Sequence, residues 1–326
     1  MPHCDCNKLI EKFRQFRHKL YTIIPSRRDT VMDLLDALSS NQTARSPVEL
    51  SLNPWFRRDY SALYKAIEQF NFNRDCTPDT GEGHRPTQEA EPIKKQQTLL
   101  PLIAAVIPAP VQRDFYLFGL DVTPVPRPYA RTLEGRTFVY QPNTIKGNKP
   151  INIGHPYSIL SVLPERTDSY NAPWCIPLSA QRVLPHQKGT EVGSEQLKNA
   201  LDNLLRFGKQ RLLMGTFQTP EVEHEENWIQ LTLLAYIQLW LAKGLAQHLP
   251  RPWERYLEQN LNINISPSGV QRDFTRIITS IGTPAKVPQT RGYSSGRAKG
   301  TSLNPRTRHQ VIRKGKKREQ KSLKAA

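Results

Sequence analysis

The sequence predicts a mixed α/β (α+β) chain, with helices first, a short sheet in the middle and a basic tail without regular structure. Three observations predict it. Apolar residues recur at helical spacing through residues 7–70. Strand-length apolar and aromatic runs cluster between residues 115 and 178. From Lys286 to the end, thirteen Lys and Arg stand against one Glu, a net of +12 in a chain of +17.

The 326 residues suffice for one large domain with appendages, or for two domains. The charge excess calls for a polyanionic partner, nucleic acid first and an anionic membrane surface second. No apolar run approaches the ~20 residues that span a bilayer, so no embedding in a membrane is expected. The N-terminus, MPHCDCNKLIEKFRQFRH, lacks the apolar core of a signal peptide, and a cytoplasmic location is expected. Four scattered cysteines make no disulfide framework. Cys4 and Cys6 beside His3 fall short of the four ligands of a closed zinc site. Cys76 lies in a polar stretch, and Cys175 in an apolar run that predicts burial.

Residues 1–70 read as a helical N-terminal domain. Leu9, Phe13, Phe16 and Leu20 form one stripe, with Lys8, Lys12, Arg14, Arg17 and Lys19 interleaved. Pro25 and Ser26 break it, and Val31, Leu34, Leu35 and Leu38 start a second. Tyr60, Leu63, Tyr64 and Ile67 mark a third helix over 59–70. Such a basic bundle suits either DNA-end binding or plain packing with solvated charges. Residues 71–97 are polar, aperiodic and hold Pro and Gly, which reads as a linker. The segment 98–107, TLLPLIAAVI, is a short helix or strand packed on the core of a domain running from 98 to 285.

That core is organised around residues 115–165. Phe115 to Leu120 is apolar on both faces, which predicts a strand buried on both sides. Asp121 follows at its exit, and Pro124, Pro126 and Pro128 stop a central ladder there. Asp121 is either a turn-opening Asp or a rigidly held carboxylate facing solvent, suited to a metal ion. Thr137 to Tyr140 reads as a second strand. A turn-prone, cationic loop with Lys146 and Lys149 follows, and then a long apolar strand from Ile151 to Leu163. Trp174 to Leu178 is the last clear strand. Helices are expected over 193–205 and 206–214, after Thr219 and Pro220, and over 270–280. Glu221, Glu223, Glu225 and Glu226 complement the dipole of the third as a charged first turn.

The segments FGLDVTPVPRPYAR, FVYQPNTIKGNKPINIGH and YSILSVLPE resemble the first catalytic segment of DDE transposases from bacterial insertion sequences. The resemblance implies an RNase H-like sheet opening as a meander. It implies metal-dependent DNA cleavage and strand transfer, with Mg or Mn as cofactors. Asp121 then matches the first metal-binding carboxylate. A second match, RFGKQRLLMGTFQTPEVEHEENWIQLTLL, begins at Arg206. It resembles the segment that follows the family's catalytic Glu, where six residues separate that Glu from a DNA-contacting Lys. Asp202 and Lys209 show this spacing, so Asp202 stands as a replacement for the Glu and Lys209 as the DNA contact. Alternatively, a join near Leu205 and Arg206 has removed the second Asp and the Glu together, leaving a partial RNase H-like domain. No residue matches the second Asp.

Residues 286–326 read as a disordered tail that binds phosphates. Arg313, Lys314, Lys316, Lys317 and Arg318 are its densest cationic run. Three readings result: a metal-dependent transposase, a DNA-binding remnant without catalysis, and a basic RNA-binding protein. The last lacks an aromatic-rich RNA-reading motif. DNA is the expected partner, as element ends and as nonspecific duplex, together with a second copy of the chain in a homodimer.

Overall fold

The computed structural model describes residues 3–70, 98–140, 150–165, 174–197, 217, 219–247, 249, 265–289 and 305–313. Four helices come first: α1 (His3–Ile23), α2 (Arg28–Ser39), the single turn α3 (Pro47–Leu50) and α4 (Tyr60–Glu68). A short helix, α5 (98–104), leads into the sheet. Its strands are β1 (Leu117–Pro126), β2 (Thr137–Tyr140), β3 (Ile151–Leu163) and β4 (Ile176–Arg182). Three more helices follow: α6 (Gly189–Leu197), α7 (Val222–Ala242) and α8 (Pro267–Ile281).

The helices that fall on described residues form near where the sequence places them, with corrections at their ends; α6 starts at Gly189 rather than 193, and the expected helix over 206–214 and the expected linker over 71–97 lie outside the described residues. Ser266 caps α8 by accepting from the Gly269 N–H, and Pro267 takes the first turn. Thr219, whose position before the expected helix suits a cap, does not cap α7. Its hydroxyl instead accepts from the Glu221 N–H, and the helix starts later, at Val222. Arg27, before α2, adopts a left-handed φ of 47° and is held there by donating to Gln69 Oε1 at 2.7 Å.

The sheet is antiparallel with β3 at its centre. β1 runs along one edge of β3 for ten residue pairs, from Leu117 opposite Leu163 to Pro126 opposite Gly154. The other edge is shared by β2, against 151–154, and β4, against 157–162. The expected meander order is therefore wrong. Strand length decides it, because β2 covers only four residues of a thirteen-residue β3. Gly154 is the crossing point, opposite both Pro126 and Thr137. A Cβ on Gly154 would stand 2.1 Å from the Val125 carbonyl oxygen, so only glycine fits there.

Two further expectations about β1 need correction. The strand does not stop at Asp121 but runs five residues further, through Pro124 to Pro126. Arg127 N–H donates to the Ile153 carbonyl at 2.7 Å, so odd residues of β1 point their N–H groups at β3 and even residues point away. Pro124, Pro126 and Pro128 are all even. Their missing N–H groups fall on the outer edge, where a ladder loses nothing. The start of β1 is also exposed, not buried on both sides, from Phe115 to Phe118. The reason is the reach of the covering helices. α6 first meets β1 at Leu120 and Val122, which lie against Gly193 and Gly189, while α7 lies over β4 on the opposite face.

α7 is the hub. One face packs on the sheet, and α1, α2, α4 and α8 surround the rest. A continuous apolar core runs from Phe13 on α1 through Trp228 and Leu234 on α7 to Phe274 on α8. Packing thus crosses the expected boundary between the N-terminal helices and the sheet domain. Arg17, expected on a solvated face, is buried instead. It pairs with Asp36 at 2.5 Å and donates to Gln238 of α7. Arg57 and Arg58 both grip the buried Asp33, at 2.6 and 3.0 Å. These three cations serve packing, which leaves the N-terminal helices fewer charges for a nucleic acid.

Residues 305–313, expected within the disordered tail, return to the sheet as an extended segment beside β2. Ile312 bridges Thr137 in parallel, and its N–H donates to the Arg136 carbonyl at 2.8 Å. His309 N–H donates to the Arg131 carbonyl, and Arg306 pairs with Glu221 at 2.5 Å.

Candidate functional site

Asp121 lies in the middle of β1, half-buried, on the sheet face that α7 covers. The register sets its neighbours on that face. Ile159 is directly opposite, with Ala180 of β4 beyond it. Gly119 and Thr123 flank it along β1, opposite Ser161 and Tyr157. None of these carries a carboxylate. The hydroxyls of Thr123, Tyr157 and Ser161 are buried and have no hydrogen-bond partner among the described residues. Burial, and then the charges of Glu225 and Glu226, raise the Tyr157 phenol well above its ordinary pKa. It stays neutral.

Glu225 is the acid that the sequence reading placed in a merely charged first turn. It is wholly buried. Its Oε2 accepts from His155 Nδ1 at 3.1 Å and lies 3.5 Å from Arg127 Nε. His155 Nε2 meets the Glu134 carbonyl at 2.9 Å, so each ring nitrogen faces an acceptor. This ion cluster sits at the Val125–His155 pair, four residues along β1 from Asp121. At ~3.3 Å per residue the two places along β1 are about 13 Å apart, and Glu225 is already engaged by His155 and Arg127. The only sequence signal for it was a Glu facing the His155 strand from a helix start, and strand pairing had to be known first.

Glu165, just beyond β3, is engaged as well. Its carboxylate accepts from the N–H groups of Val111, Gln112 and Arg113, and those bonds hold its pKa below the usual range.

Asp202, Lys209, Lys146, Lys149, Lys314, Lys316, Lys317 and Arg318 lie outside the described residues. Arg313 is described. It is exposed, and its guanidinium stands 6.0 Å from the centre of the Phe138 ring. Among the described residues, no group of three or more His, Cys, Asp or Glu side chains could hold a metal ion. A two-metal site needs several carboxylates within a few ångströms. The described donors around Asp121, one carboxylate and three hydroxyls, do not fit it.

Beside β2 the surface is of another kind. Thr137 and Val139 point inward, while Phe138 and Tyr140 point outward next to Ile151 and Ile153 of β3. Arg136, under the returning tail segment, is buried among carbonyls. Its guanidinium donates to those of Arg127, Pro128, Arg131 and His309, and burial lowers its pKa.

No described helix is long and apolar enough to cross a membrane. No curated protein and no solved structure matches the chain. A family model, DDE superfamily endonuclease, matches residues 19–213, a span that takes in only the last five residues of α1, the helices α2 to α6, the whole sheet and Asp121. The chain belongs to the DDE superfamily endonucleases, a transposase-like nuclease lineage whose fold is RNase H-like and whose members use divalent metals.

Proposed function

We propose that this chain is a DNA-binding remnant of an insertion-sequence transposase, a cytoplasmic protein that holds DNA and does not cut it. One observation carries the reading: Asp121 has no carboxylate among its register neighbours, and the buried Glu225 is engaged in its own ion cluster at the Val125–His155 pair, four residues along β1. A join near Leu205 and Arg206 accounts for the missing acids. It leaves a partial RNase H-like sheet in which β1 is an edge strand. Binding runs through the cations of the tail, Arg313, Lys314, Lys316, Lys317 and Arg318, with Lys146, Lys149 and Lys209 as further phosphate contacts.

A homodimer belongs to the same reading. The outer edge of β1 offers the N–H groups of Phe118, Leu120 and Val122, flanked by exposed Phe115, Tyr116 and Leu117, before Pro124 closes it. The competing enzyme reading rests on Asp202 and Lys209, which keep the family's six-residue spacing.

Fluorescence anisotropy of the full chain on a labelled duplex tests the binding. Affinity is expected to fall by orders of magnitude between about 50 and 200 mM salt. Absence of duplex binding at low salt would overturn the proposal.

A further inference from the structure

The outward face of the β2–β3 ribbon carries an apolar surface that the described residues leave open. Phe138 is 46% exposed, Tyr140 64% and Ile151 58%. Tyr140 is paired with Ile151, and Phe138 with Ile153, so the four side chains form two adjacent rows on one face. An open groove of about 480 Å³ is lined by Phe138, Ile151, Asn152, Ile153 and Arg313. Arg313 stands at its rim, over the Phe138 ring.

Phe13, Phe70, Trp228 and Phe274 are inaccessible, whereas Tyr60, Phe115, Tyr116 and Tyr129 are exposed like Phe138 and Tyr140. What sets this face apart is the open groove beside Phe138, which has room for an occupant. Charge selects its kind. None of the five groove-lining residues is acidic, and one is a cation. Two segments adjoin this surface in sequence. Residues 141–149, which join β2 to β3, carry Lys146 and Lys149 and no acid. Residues 314–326, which follow Arg313, carry six Lys and Arg against one Glu. The occupant thus joins flat apolar groups to a string of negative charges. Duplex DNA has the charges but hides its base faces in its own stack. Unpaired nucleotides offer both.

We propose that Phe138, Tyr140, Ile151 and Arg313 form a platform for single-stranded DNA, on which unpaired bases stack while Arg313 meets a phosphate. This rests on the DNA-binding reading above and adds a strand-state preference to it. Stacking is indifferent to base identity, because every base has a π face, so the platform selects unpaired over paired DNA and not one sequence over another.

The test compares the full chain with Phe138→Ala/Tyr140→Ala and with Phe138→Trp. Each is titrated by anisotropy into labelled oligothymidylate and into a duplex of equal length, with light scattering for self-association. Both target side chains are exposed, so the fold is expected to survive, and thermal melts check this. The proposal expects the double variant to bind oligothymidylate roughly tenfold more weakly or worse. Duplex affinity should be unchanged, and Phe138→Trp should keep single-strand binding. Arg313→Ala should lower the salt slope by about one. Single-strand affinity that survives the double substitution, with duplex binding intact, overturns the platform alone. Loss of self-association in place of single-strand binding also overturns it, and makes the face a contact between copies. If the parent chain binds neither DNA, the DNA-binding reading falls too.

Discussion

Glu225 Oε2 lies 3.1 Å from His155 Nδ1, which joins the first turn of α7 to the central strand of the sheet. Arg127 closes the cluster from the end of β1, 3.5 Å away and fully buried. Removing the carboxylate leaves a buried cation without its counter-charge. Glu225→Ala is therefore expected to destabilise the fold by about 3–5 kcal/mol. Glu225→Gln, which keeps a hydrogen-bond acceptor, should cost less. Urea denaturation followed by circular dichroism measures both, and a neutral Glu225→Ala would show that the cluster does not hold α7 on the sheet.

Gly154 tests the topology. Three backbone segments converge on it, and a methyl group there meets the Val125 carbonyl oxygen. Gly154→Ala should push β1 from β3 and lower stability by about 1–3 kcal/mol, the usual range for overpacking. Gly282, whose hypothetical Cβ meets nothing within 4 Å although its φ is +82°, serves as a comparison in which backbone strain acts alone.

The tail divides into two lengths at Arg313. Deleting residues 314–326 removes a net +5 and leaves the segment that pairs with β2. The truncated chain should keep its melting temperature while its salt slope for duplex binding flattens. Deleting from residue 286 also removes Arg306, His309 and Ile312, and should lower the melting temperature as well. An unchanged salt slope in the shorter truncation would place the phosphate contacts elsewhere.

Lys243 at the end of α7 carries a pH signature. Burial lowers its pKa from 10.5 to about 8, although its ammonium stands 3.6 Å over the Trp240 ring, a contact that favours the charged form and offsets part of the shift. Below pH 8 the lysine is charged in the folded and unfolded chains alike, and the folded state bears the cost of burying it. Between pH 8 and 10 the folded chain sheds the proton and the unfolded chain keeps it, so stability rises with pH. Above 10, the buried phenols of Tyr157 and Tyr236, whose pKa values burial raises, reverse the trend. Lys243→Met should be more stable than the parent at pH 7 and lack the rise between 8 and 10. Denaturation midpoints across that range decide it.

Much of the fold was legible because period reveals elements. The stripe Phe13, Phe16 and Leu20 and the run from Ile151 to Leu163 both form as read, and Cys175 is buried. Family membership was legible in the segment around Asp121, which the family match includes. Strand order was not, because β2 and β4 share one edge of β3 and nothing local records that. The prolines of β1 misled for a related reason. Spaced two apart, they mark an edge strand as well as a strand's end, and only the ladder's parity separates the two. Arg17 and Glu225 looked like solvated charges because their partners, Gln238 and His155, lie 221 and 70 residues away in sequence.

The isolation of Asp121 is tested most directly by DNA cleavage. Purified full chain and Asp121→Ala are incubated side by side with supercoiled DNA carrying the element's ends and Mn²⁺, and nicked product is measured. Equal silence from both chains is the predicted result. Metal-dependent nicking by the parent that Asp121→Ala lacks would contradict it, and would mean that Asp202 or another acid completes a working site around β1.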